Sequence, residues 1–277
     1  MGTTSLRQRR ERLQDPHRPS AEELVRWKGD PNFMMSLARG VLVLRSFTED
    51  QPGQSITRIS QKTGISRAAV RRCLYTLEKL GYVANHGSVF KLRPKALALG
   101  YAYVSSTTFA EIAQPVLDRV RDELHESCSM GVLDADEVYY VARSETKRIM
   151  SIALRVGSRL PAYCTSMGRA ILAHRPAGEI EGYLSRVELA PNTENTITDR
   201  GALLAELDRI RRLGYAMVDE ELEPGLRSIA VPVFDHTGRV IAAINVGTQA
   251  QRVPGEELTA RILPVLQAAA AEISAQC

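Results

Sequence analysis

A pair of short helical segments around a glycine turn, at residues 55–80, is the feature that most constrains the fold of this chain. Apolar periodicity predicts a first helix over residues 55–62, and Thr63-Gly64 is typical of a turn. Ser66 is a typical N-terminal cap for a second helix. Two helices joined in this way form a helix-turn-helix, whose second helix lies in the major groove of DNA.

The second helix divides into an apolar face and a basic face. Val70, Leu74 and Leu77 recur at helical spacing, so we expect them to face the core. Arginine on the outer face suits base recognition because its planar fork bonds guanine O6 and N7 together, or a phosphate. An ordinary basic surface helix is the alternative interpretation. The predicted DNA-contacting residues of this helix are Ser66, Arg67, Ala68, Arg71 and Arg72.

A hairpin is predicted beside the second helix, over residues 82–91. Two short apolar segments there flank a turn at His86-Gly87-Ser88, which is typical of paired strands. The hairpin would form a wing, and we expect His86 and Lys91 to meet phosphates or the minor groove from it.

Two more helices are predicted on either side of the motif. The first begins near Ser36, and its apolar residues recur at spacings of three and four, which predicts a buried stripe of Leu37, Val41, Leu44 and Phe47. We therefore expect a winged helix-turn-helix domain at residues 32–93. The second helix is a linker at residues 94–106, which begins at a proline.

Charge is unevenly distributed along the chain. Residues 1–110 hold 18 Lys and Arg against 8 Asp and Glu, whereas the remaining residues hold 18 against 24. A basic third joined to an acidic remainder favours a polyanion-binding module attached to another domain. A solvated basic tail is the alternative. Residues 1–31 are polar, rich in arginine and contain three prolines, so we expect a flexible basic arm.

The remaining residues, 107–277, mix helical and strand patterns. Helices separated by alternating strands and short turns predict an α+β domain with an antiparallel sheet. One of the predicted strands is Ile149–Arg155, followed by a turn at Gly157-Ser158. The length of 277 residues is consistent with two domains.

Composition argues against several classes of protein. No run of 18 apolar residues is present, so we expect no membrane span, and no apolar stretch follows the charged N-terminus as in a secretory signal. The cysteines are far apart and form no C-x-x-C pair, which favours a reducing cytoplasm over a disulfide framework or a zinc module. They are Cys73, Cys128, Cys164 and Cys277.

Neither a metal site, a cofactor site nor a catalytic site is expected. The five histidines share no metal-ligand spacing, and no glycine-rich phosphate loop occurs. Cys164 and His174 offer a nucleophile and a base as an alternative, but no third group is evident to orient them. We therefore predict that the chain is not an enzyme.

Thr165-Ser166-Met167-Gly168 precedes or opens a predicted helix. Free backbone N–H groups at a helix start favour a carboxylate, and the two hydroxyls add donors. Gly168 permits close approach of the backbone. An ordinary helix cap without a ligand is the alternative.

Several stretches resemble IclR-type bacterial regulators over residues 33–275. The first two, FMMSLARG from Phe33 and SRAAVRRCL from Ser66, are similar to that family's winged helix-turn-helix. Two later stretches, LPAYCTSMGRA from Leu160 and ELEPGLRSIAVPV from Glu221, are similar to its effector-domain signatures. The resemblance implies a GAF-like effector domain. It is greatest to the subgroup that controls aromatic-acid catabolism through protocatechuate and β-ketoadipate.

The resemblance also implies a pocket for a small acid, formed by Ser166, Met167, Ser228, Asn245 and Gly247. We add Tyr163, Met130 and Arg143 from expected proximity. A second carboxylate would pair with Arg143, Arg155 or Arg227; for Arg227, which lies in a predicted turn, bracing of the structure is the alternative. Some family members carry an acidic or cysteine side chain near this pocket, where this chain has Val218 and Ser228.

These expectations combine into a ligand-responsive regulator that is a homodimer or a tetramer. A partly palindromic operator would mirror the symmetry of the protein. The effector would be a small carboxylic acid, either aromatic or a ring-cleavage dicarboxylate. A ligand-binding regulator that acts by protein contact, with a degenerate DNA-binding domain, is the alternative.

Overall fold

A computed structural model describes residues 21–48, 51–99, 108–146 and 154–277. These residues form two compact units, one with residues 21–99 and the other with residues 108–277. Residues 1–20 of the predicted basic arm lie outside the described residues, as do the end of the predicted linker helix and most of the predicted strand Ile149–Arg155. Residues 21–31 are described and include a short helix at Glu22–Val25, and the Ala21 N–H donates to the Thr63 carbonyl at 2.9 Å, so the prediction of a flexible arm is wrong for this part.

The first unit is a winged helix-turn-helix. Its helices and strands are α1 (Glu22–Val25), α2 (Met35–Arg45), β1 (Gly53–Gln54), α3 (Ile56–Thr63), α4 (Arg67–Lys79), β2 (Val83–His86) and β3 (Val89–Leu92). The three strands form an antiparallel sheet in the order β1-β3-β2. The helices and the sheet share one apolar core.

Local chemistry explains the turn between α3 and α4. The hydroxyl of Ser55 accepts a hydrogen bond from the Arg58 N–H and caps α3. Gly64 ends this helix at φ +73°, a left-handed conformation that suits glycine. Ser66 then caps α4 by accepting from the Ala69 N–H at 3.4 Å. The predicted helix-turn-helix, its glycine turn and the Ser66 cap are confirmed.

The predicted buried face of α2 is wrong. Leu37 and Val41 are exposed, at 63% and 45% of their side-chain surfaces, whereas Leu42 and Val43 are buried. The helix is apolar over four consecutive residues, so periodicity alone does not fix which face meets the core. Packing against α4 selects the face of Leu42 and Val43. Leu44 and Phe47, also predicted to be buried, are half-buried, and Phe47 lies beyond the end of the helix.

The predicted linker helix begins as a 3₁₀ turn at Pro94–Ala96, and residues 97–99 are helical. The remainder, residues 100–106, lies outside the described residues.

The second unit is an α+β domain. Its elements are α5 (Thr108–Leu124), β4 (Ser127–Asp134), β5 (Glu137–Ser144), β6 (Arg159–Pro161), a 3₁₀ turn (Ala162–Cys164), α6 (Ser166–Leu172), α7 (Ala177–Arg186), α8 (Arg200–Leu213), β7 (Ala216–Asp219), β8 (Leu226–Phe234) and β9 (Val240–Gln249). The C-terminal helix has a short first segment (Gly255–Glu257), a π-helical turn (Leu258–Ile262) and α9 (Leu263–Ser274).

The six strands of this unit form one antiparallel sheet in the order β6-β5-β4-β9-β8-β7. Successive residues of a strand alternate between its two faces, so Ala243 packs in one core while Ala242 and Ile244 pack in the other. Helices α6, α7 and α8 cover the first face, and α5 and α9 cover the second. None of the described helices is both long and apolar enough to cross a membrane.

The edge strand next to β5 was not predicted. Leu154 and Arg155, the described end of the predicted strand, are not in a strand, and β6 pairs with β5 instead. Gly157, at φ +86°, turns the chain, and its N–H donates to the Tyr140 carbonyl at 2.7 Å. This turn brings the residues after it, rather than those before it, to the free edge of β5.

Candidate DNA-binding surface and ligand cavity

The outer face of α4 is fully exposed. Val70, Leu74 and Leu77 are buried, which confirms the predicted division of the helix. The predicted contact residues Ser66, Arg67, Ala68, Arg71 and Arg72 are all exposed to solvent. The first two turns of α4 therefore present three guanidinium groups beside a small residue that lets the backbone approach a partner.

The wing forms as predicted. His86 ends β2 and Lys91 lies in β3, and both side chains are exposed. A cleft between α4 and the wing is lined by Arg71, Tyr75 and residues of the wing tip. Our sequence analysis missed Tyr75, which is 61% exposed, with the Lys79 ammonium 5.3 Å from its ring centroid. Its position one helical turn after Arg71 is the signal that indicates it.

The second unit contains a cavity between one face of the sheet and the start of α6. Six of the predicted pocket residues line it: Arg143, Ser166, Met167, Ser228, Asn245 and Gly247. The other lining residues are Ser127, Tyr140, Leu154, Leu160, Cys164, Thr165, Val218, Leu222 and Leu226. The wall is therefore mainly apolar, with a few polar groups, as in sites for small organic ligands.

Sheet register brings the polar residues together. Ser129 pairs with Arg143 on one side and with Asn245 on the other. In the next row, Gly247 pairs with both Ser127 and Ser228. Because residues two apart in a strand share a face, these two rows place side chains from four strands on one side of the sheet.

A β-bulge at Val141 gives Arg143 its orientation. Ala142 pairs with Met130, but the next partner pair is Tyr140 with Gly131, so Val141 is an extra residue. Val141 and Ala142 consequently pack in the core on the opposite face, while Tyr140 and Arg143 both line the cavity.

Arg143 is held in place but retains a free donor. Its Nη1 donates to the Ser129 hydroxyl at 2.7 Å. Its Nε is buried without a hydrogen bond, 3.7 Å from a carboxylate oxygen of the exposed Glu145. A buried donor without a partner is costly, so this atom is suited to an incoming acceptor.

Ser166 is the second free polar group of the cavity. It is the first residue of α6, is 1% exposed, and its hydroxyl has no hydrogen-bond partner. The first turn of a helix also leaves backbone N–H groups without intrahelical partners. The cavity thus combines one cationic donor and one hydroxyl with apolar walls, an arrangement that can bind a carboxylate attached to an apolar body.

Glycine is required at position 168 for a different reason from the one predicted, which was close approach of the backbone to a ligand. A Cβ atom at this position would lie 2.2 Å from the carbonyl oxygen of Ala162 and 2.4 Å from its Cα. The close backbone approach is therefore between α6 and the preceding 3₁₀ turn, and not toward the cavity. Glycine at 168 fixes the position of the helix start that carries Ser166.

The cavity is contracted in this structure, at about 40 Å³. A cavity that binds benzene holds about 150 Å³, so an aromatic ring enters only if the walls move apart.

Two predicted residues lie outside the cavity. Met130 packs in the core on the opposite face because it follows Ser129, which shares the side of the sheet of Arg143 and Asn245. Tyr163 turns away, and its hydroxyl donates to the Ala190 carbonyl at 2.7 Å. Arg155 does not line the cavity either. Arg227 braces the structure, through a bidentate pair with Asp219 at 2.8 Å and a hydrogen bond to the Val253 carbonyl.

A buried ion pair between α6 and the loop before β8 was also missed. Arg169 is 1% exposed, and its Nη1 and Nη2 donate to the two carboxylate oxygens of Glu221 at 2.6 and 2.5 Å. Its Nε donates to the Tyr163 carbonyl, and Glu221 also accepts from the Ile197 N–H. The partners are 52 residues apart, and no local pattern links them.

The alternative of a Cys164 nucleophile with a His174 base is not formed. Cys164 is buried, which raises the pKa of its thiol to about 12, and its sulfur receives a hydrogen bond from Asn192. The Nδ1 of His174 lies 2.9 Å from the Ala170 carbonyl, and its ring packs edge-on against Phe234. Within the described ranges, no cluster of three or more His, Cys, Asp or Glu residues is arranged to hold a metal ion.

Two family models match the chain. The model described as bacterial transcriptional regulator IclR C-terminal matches residues 101–275, and the IclR helix-turn-helix domain matches residues 36–87. A Rhodococcus protein described as a transcriptional regulator has a crystal structure that matches this one with a TM-score of 0.77. Its sequence is 41% identical, and the match covers 88% of this chain and 98% of the Rhodococcus chain.

Two further matches are a named regulator and the inducer-binding domain of another. The Pca regulon regulatory protein of Pseudomonas putida is 49% identical over 257 residues, which are 92% of this chain and 88% of that protein. The inducer-binding domain of PobR from Acinetobacter, solved as a double mutant with 3-hydroxybenzoic acid, is 34% identical with a TM-score of 0.57, and covers 60% of this chain and 97% of that one. The chain belongs to the IclR family of bacterial transcriptional regulators, and its similarity to the Pca regulator supports the protocatechuate-regulator subgroup.

Proposed function

We propose that this regulator controls genes of aromatic-acid catabolism by binding operator DNA with α4 and the wing, and by binding a small carboxylic acid in the cavity of the second unit. The observation that carries the proposal is a pair of donors without hydrogen bonds, Arg143 Nε and Ser166 Oγ, on two residues that line one mainly apolar cavity. The relationship to the PobR domain solved with 3-hydroxybenzoic acid supports the ligand class.

The DNA-binding part is assigned to residues 32–93. Arg67, Arg71 and Arg72 would read base edges or phosphates, with Ser66 and Ala68 at close approach. His86 and Lys91 would contact the backbone from the wing. Two copies of the unit would read two half-sites, so we propose a homodimer, or a tetramer as a dimer of dimers, on a partly palindromic operator.

The effector-binding part is assigned to residues 107–277, and residues 94–106 to the linker between the two parts. Arg143 would pair with a carboxylate, while Ser166, Ser228 and Asn245 would donate hydrogen bonds to it or to a second oxygen. The leucines of the wall would contact the ring. Because Arg227 is already paired with Asp219, it is left out of the ligand site.

Ligand binding would act on DNA binding through the walls of the cavity. Since the cavity, at about 40 Å³, is too small for an aromatic ring, the ligand would favour conformations in which α6, β8 and the loop before β8 are further apart. A ligand that prefers one conformation shifts its population, and this shift changes affinity for the operator. The proposed location is the cytoplasm, where the DNA is. No enzymatic role is proposed, because the thiol of Cys164 stays protonated at neutral pH.

A thermal-shift titration of the full chain with 4-hydroxybenzoate, protocatechuate and β-ketoadipate tests the ligand class, since a ligand that binds only the folded state raises Tm, by an amount that grows with the ratio of its concentration to Kd. We expect at least one of these acids to raise Tm in the wild type and to do so less in Arg143→Met. A gel shift on the promoter region tests DNA binding. No shift at moderate salt would instead support regulation by protein contact.

A further inference from the structure

Buried polar atoms without partners cluster at two places in the second unit. Five such side-chain atoms occur among the described residues: Gln54 Oε1, Arg143 Nε, Ser166 Oγ, Arg175 Nε and Tyr183 OH. Two of them line the ligand cavity described above, and two others, Arg175 Nε and Tyr183 OH, belong to residues that line a separate cleft. Because a native fold leaves few buried polar groups unpaired, a pair at one cleft indicates a missing partner.

The second cleft, which we call the α7 cleft, lies between the β4–β5 turn and helix α7. It is lined by Leu133, Ala135, Leu172, Arg175, Gly178, Glu179, Gly182, Tyr183 and Arg186. It shares no lining residue with the ligand cavity. Its volume is about 340 Å³, which is in the range of about 300–1,000 Å³ of small-molecule sites.

Arg175 is weakly engaged within the protein. Its only ion pair among the described residues joins Nη1 to Glu179 at 3.5 Å, a long contact in which Glu179 is half exposed. Its Nε has no hydrogen bond. A guanidinium has five N–H donors in a fork that matches a planar oxyanion, so most of its capacity is unused.

Tyr183 and Arg186 add to the donor set. Tyr183 is 2% exposed, and the Tyr163 backbone N–H approaches its phenol oxygen, but the phenol proton has no acceptor. Burial raises the pKa of the phenol, which therefore stays protonated and can donate a hydrogen bond. Arg186 donates to the Gly182 carbonyl and to Asp136 at 2.8 and 2.9 Å, and it keeps further N–H groups. Two guanidinium groups and one phenol thus belong to residues that line the cleft. Two carboxylates, those of Glu179 and Asp136, partly offset their positive charge.

We propose that the α7 cleft is a second ligand site, which binds a small oxyanion, either a phosphate or a carboxylate. Arg175 and Tyr183 bind the oxyanion directly, and Arg186 contributes charge at the rim. The ligand takes the place of Glu179 on Arg175, because the two acceptors compete for the same guanidinium. This site is distinct from the effector cavity, so both can be occupied at once.

Because the ligand competes with Glu179 for Arg175, two substitutions should weaken anion binding and a third should tighten it. Arg175→Met removes a charged hydrogen bond and should weaken anion binding about tenfold or more. Tyr183→Phe removes one neutral donor and should weaken it about two- to tenfold. Glu179→Gln removes the competing negative charge, so it should tighten binding about two- to fivefold.

The experiment is a thermal-shift titration of the full chain with inorganic phosphate and, separately, with acetate, each balanced by chloride at constant ionic strength. The readout is the rise of Tm with anion concentration, which remains measurable in a variant of lower starting stability. Arg212→Met, an exposed arginine of α8, is the control for general charge, and Ser166→Ala is the control for the effector cavity.

We expect a rise of Tm with at least one anion, which requires about tenfold more anion or more in Arg175→Met, is enhanced by Glu179→Gln and is unchanged in both controls. The anion that gives the rise identifies the source as a phosphate or a carboxylate. The proposal is overturned by a wild type that responds to neither anion beyond chloride, by a response that is the same in Arg175→Met as in the wild type, or by a response that Ser166→Ala removes.

Discussion

The outer face of α4 and the wall of the ligand cavity both use arginine and small polar residues, but they are assembled in different ways. On α4, Arg67, Arg71 and Arg72 lie within two turns of one helix and are solvated. In the cavity, Ser166 is buried and Arg143 is partly buried, and sheet register and the position of α6 bring them together.

This difference predicts how each surface responds to substitution. A solvated side chain has similar surroundings in the folded and unfolded states, so replacing it changes the free energy of unfolding little. A cavity side chain stands on a framework of buried contacts, and disturbing this framework lowers stability together with ligand affinity. Measuring affinity and stability in the same variants therefore tests the comparison.

The largest effect is expected from Arg169→Met. The substitution leaves the Glu221 carboxylate buried without its partner, which should lower the free energy of unfolding by about 3–5 kcal/mol. Chemical denaturation of the full chain, monitored by far-UV circular dichroism, measures this change in the unfolding of the second unit.

A double variant separates charge burial from packing. Arg169→Met with Glu221→Leu removes both charges, so it should recover much of the lost stability. Ligand affinity should remain low in the double variant, because α6 is no longer fastened to the loop before β8. Full recovery of affinity would show that the ion pair does not position the cavity.

Gly168→Ala should lower the free energy of unfolding by about 1–3 kcal/mol, since the added Cβ meets the backbone of Ala162. The matched control is Gly178→Ala in α7, where a Cβ meets nothing within 4 Å, and where alanine favours the helix. We expect the first variant alone to weaken the ligand-induced rise in Tm. Equal effects of the two substitutions would contradict the close approach at Gly168.

Arg71→Ala should weaken operator binding by about 1–3 kcal/mol if Arg71 reads a guanine, and it should relax selectivity at that base. The free energy of unfolding should change by less than about 0.5 kcal/mol, because Arg71 is exposed. Competition gel shifts with single-base operator variants measure both affinity and selectivity. Unchanged affinity and selectivity would remove Arg71 from the set of base readers.

Ser166→Ala should have the smallest effect. It removes one donor, so effector affinity should fall about two- to tenfold. Stability should stay constant or rise slightly, because the hydroxyl has no partner to lose. Ser185→Ala, at an exposed position of α7, is the control. A fall in stability without a change in affinity would place Ser166 in the framework rather than in the ligand site.

Sequence predicted the features that depend on neighbours in the chain. The caps Ser55 and Ser66 and the left-handed Gly64 each act within four residues, so α3 and α4 were recognisable. The face of α2 was not, because packing against α4 decides it. Arg169 and Glu221 meet only after the sheet has formed, and their link has no local pattern.

The cavity was predictable in part. The resemblance supplied Ser166, Asn245 and Gly247, which the structure places in its wall. Proximity along the chain supplied Met130 and Tyr163, which face elsewhere, because alternation along β4 and the tight 3₁₀ turn decide their directions.

The bulge at Val141 means that the polarity of the cavity depends on how β5 pairs as well as on its residues. If the same residues paired without a bulge, regular alternation would turn Ala142 toward the cavity and Arg143 to the opposite face, among apolar side chains. Deleting Val141 would instead keep both Tyr140 and Arg143 on the cavity side, because a single residue would then separate them. In a set of paralogous regulators, ligand charge preference can therefore change with the position of a bulge, a route that comparison of aligned side chains alone does not reveal.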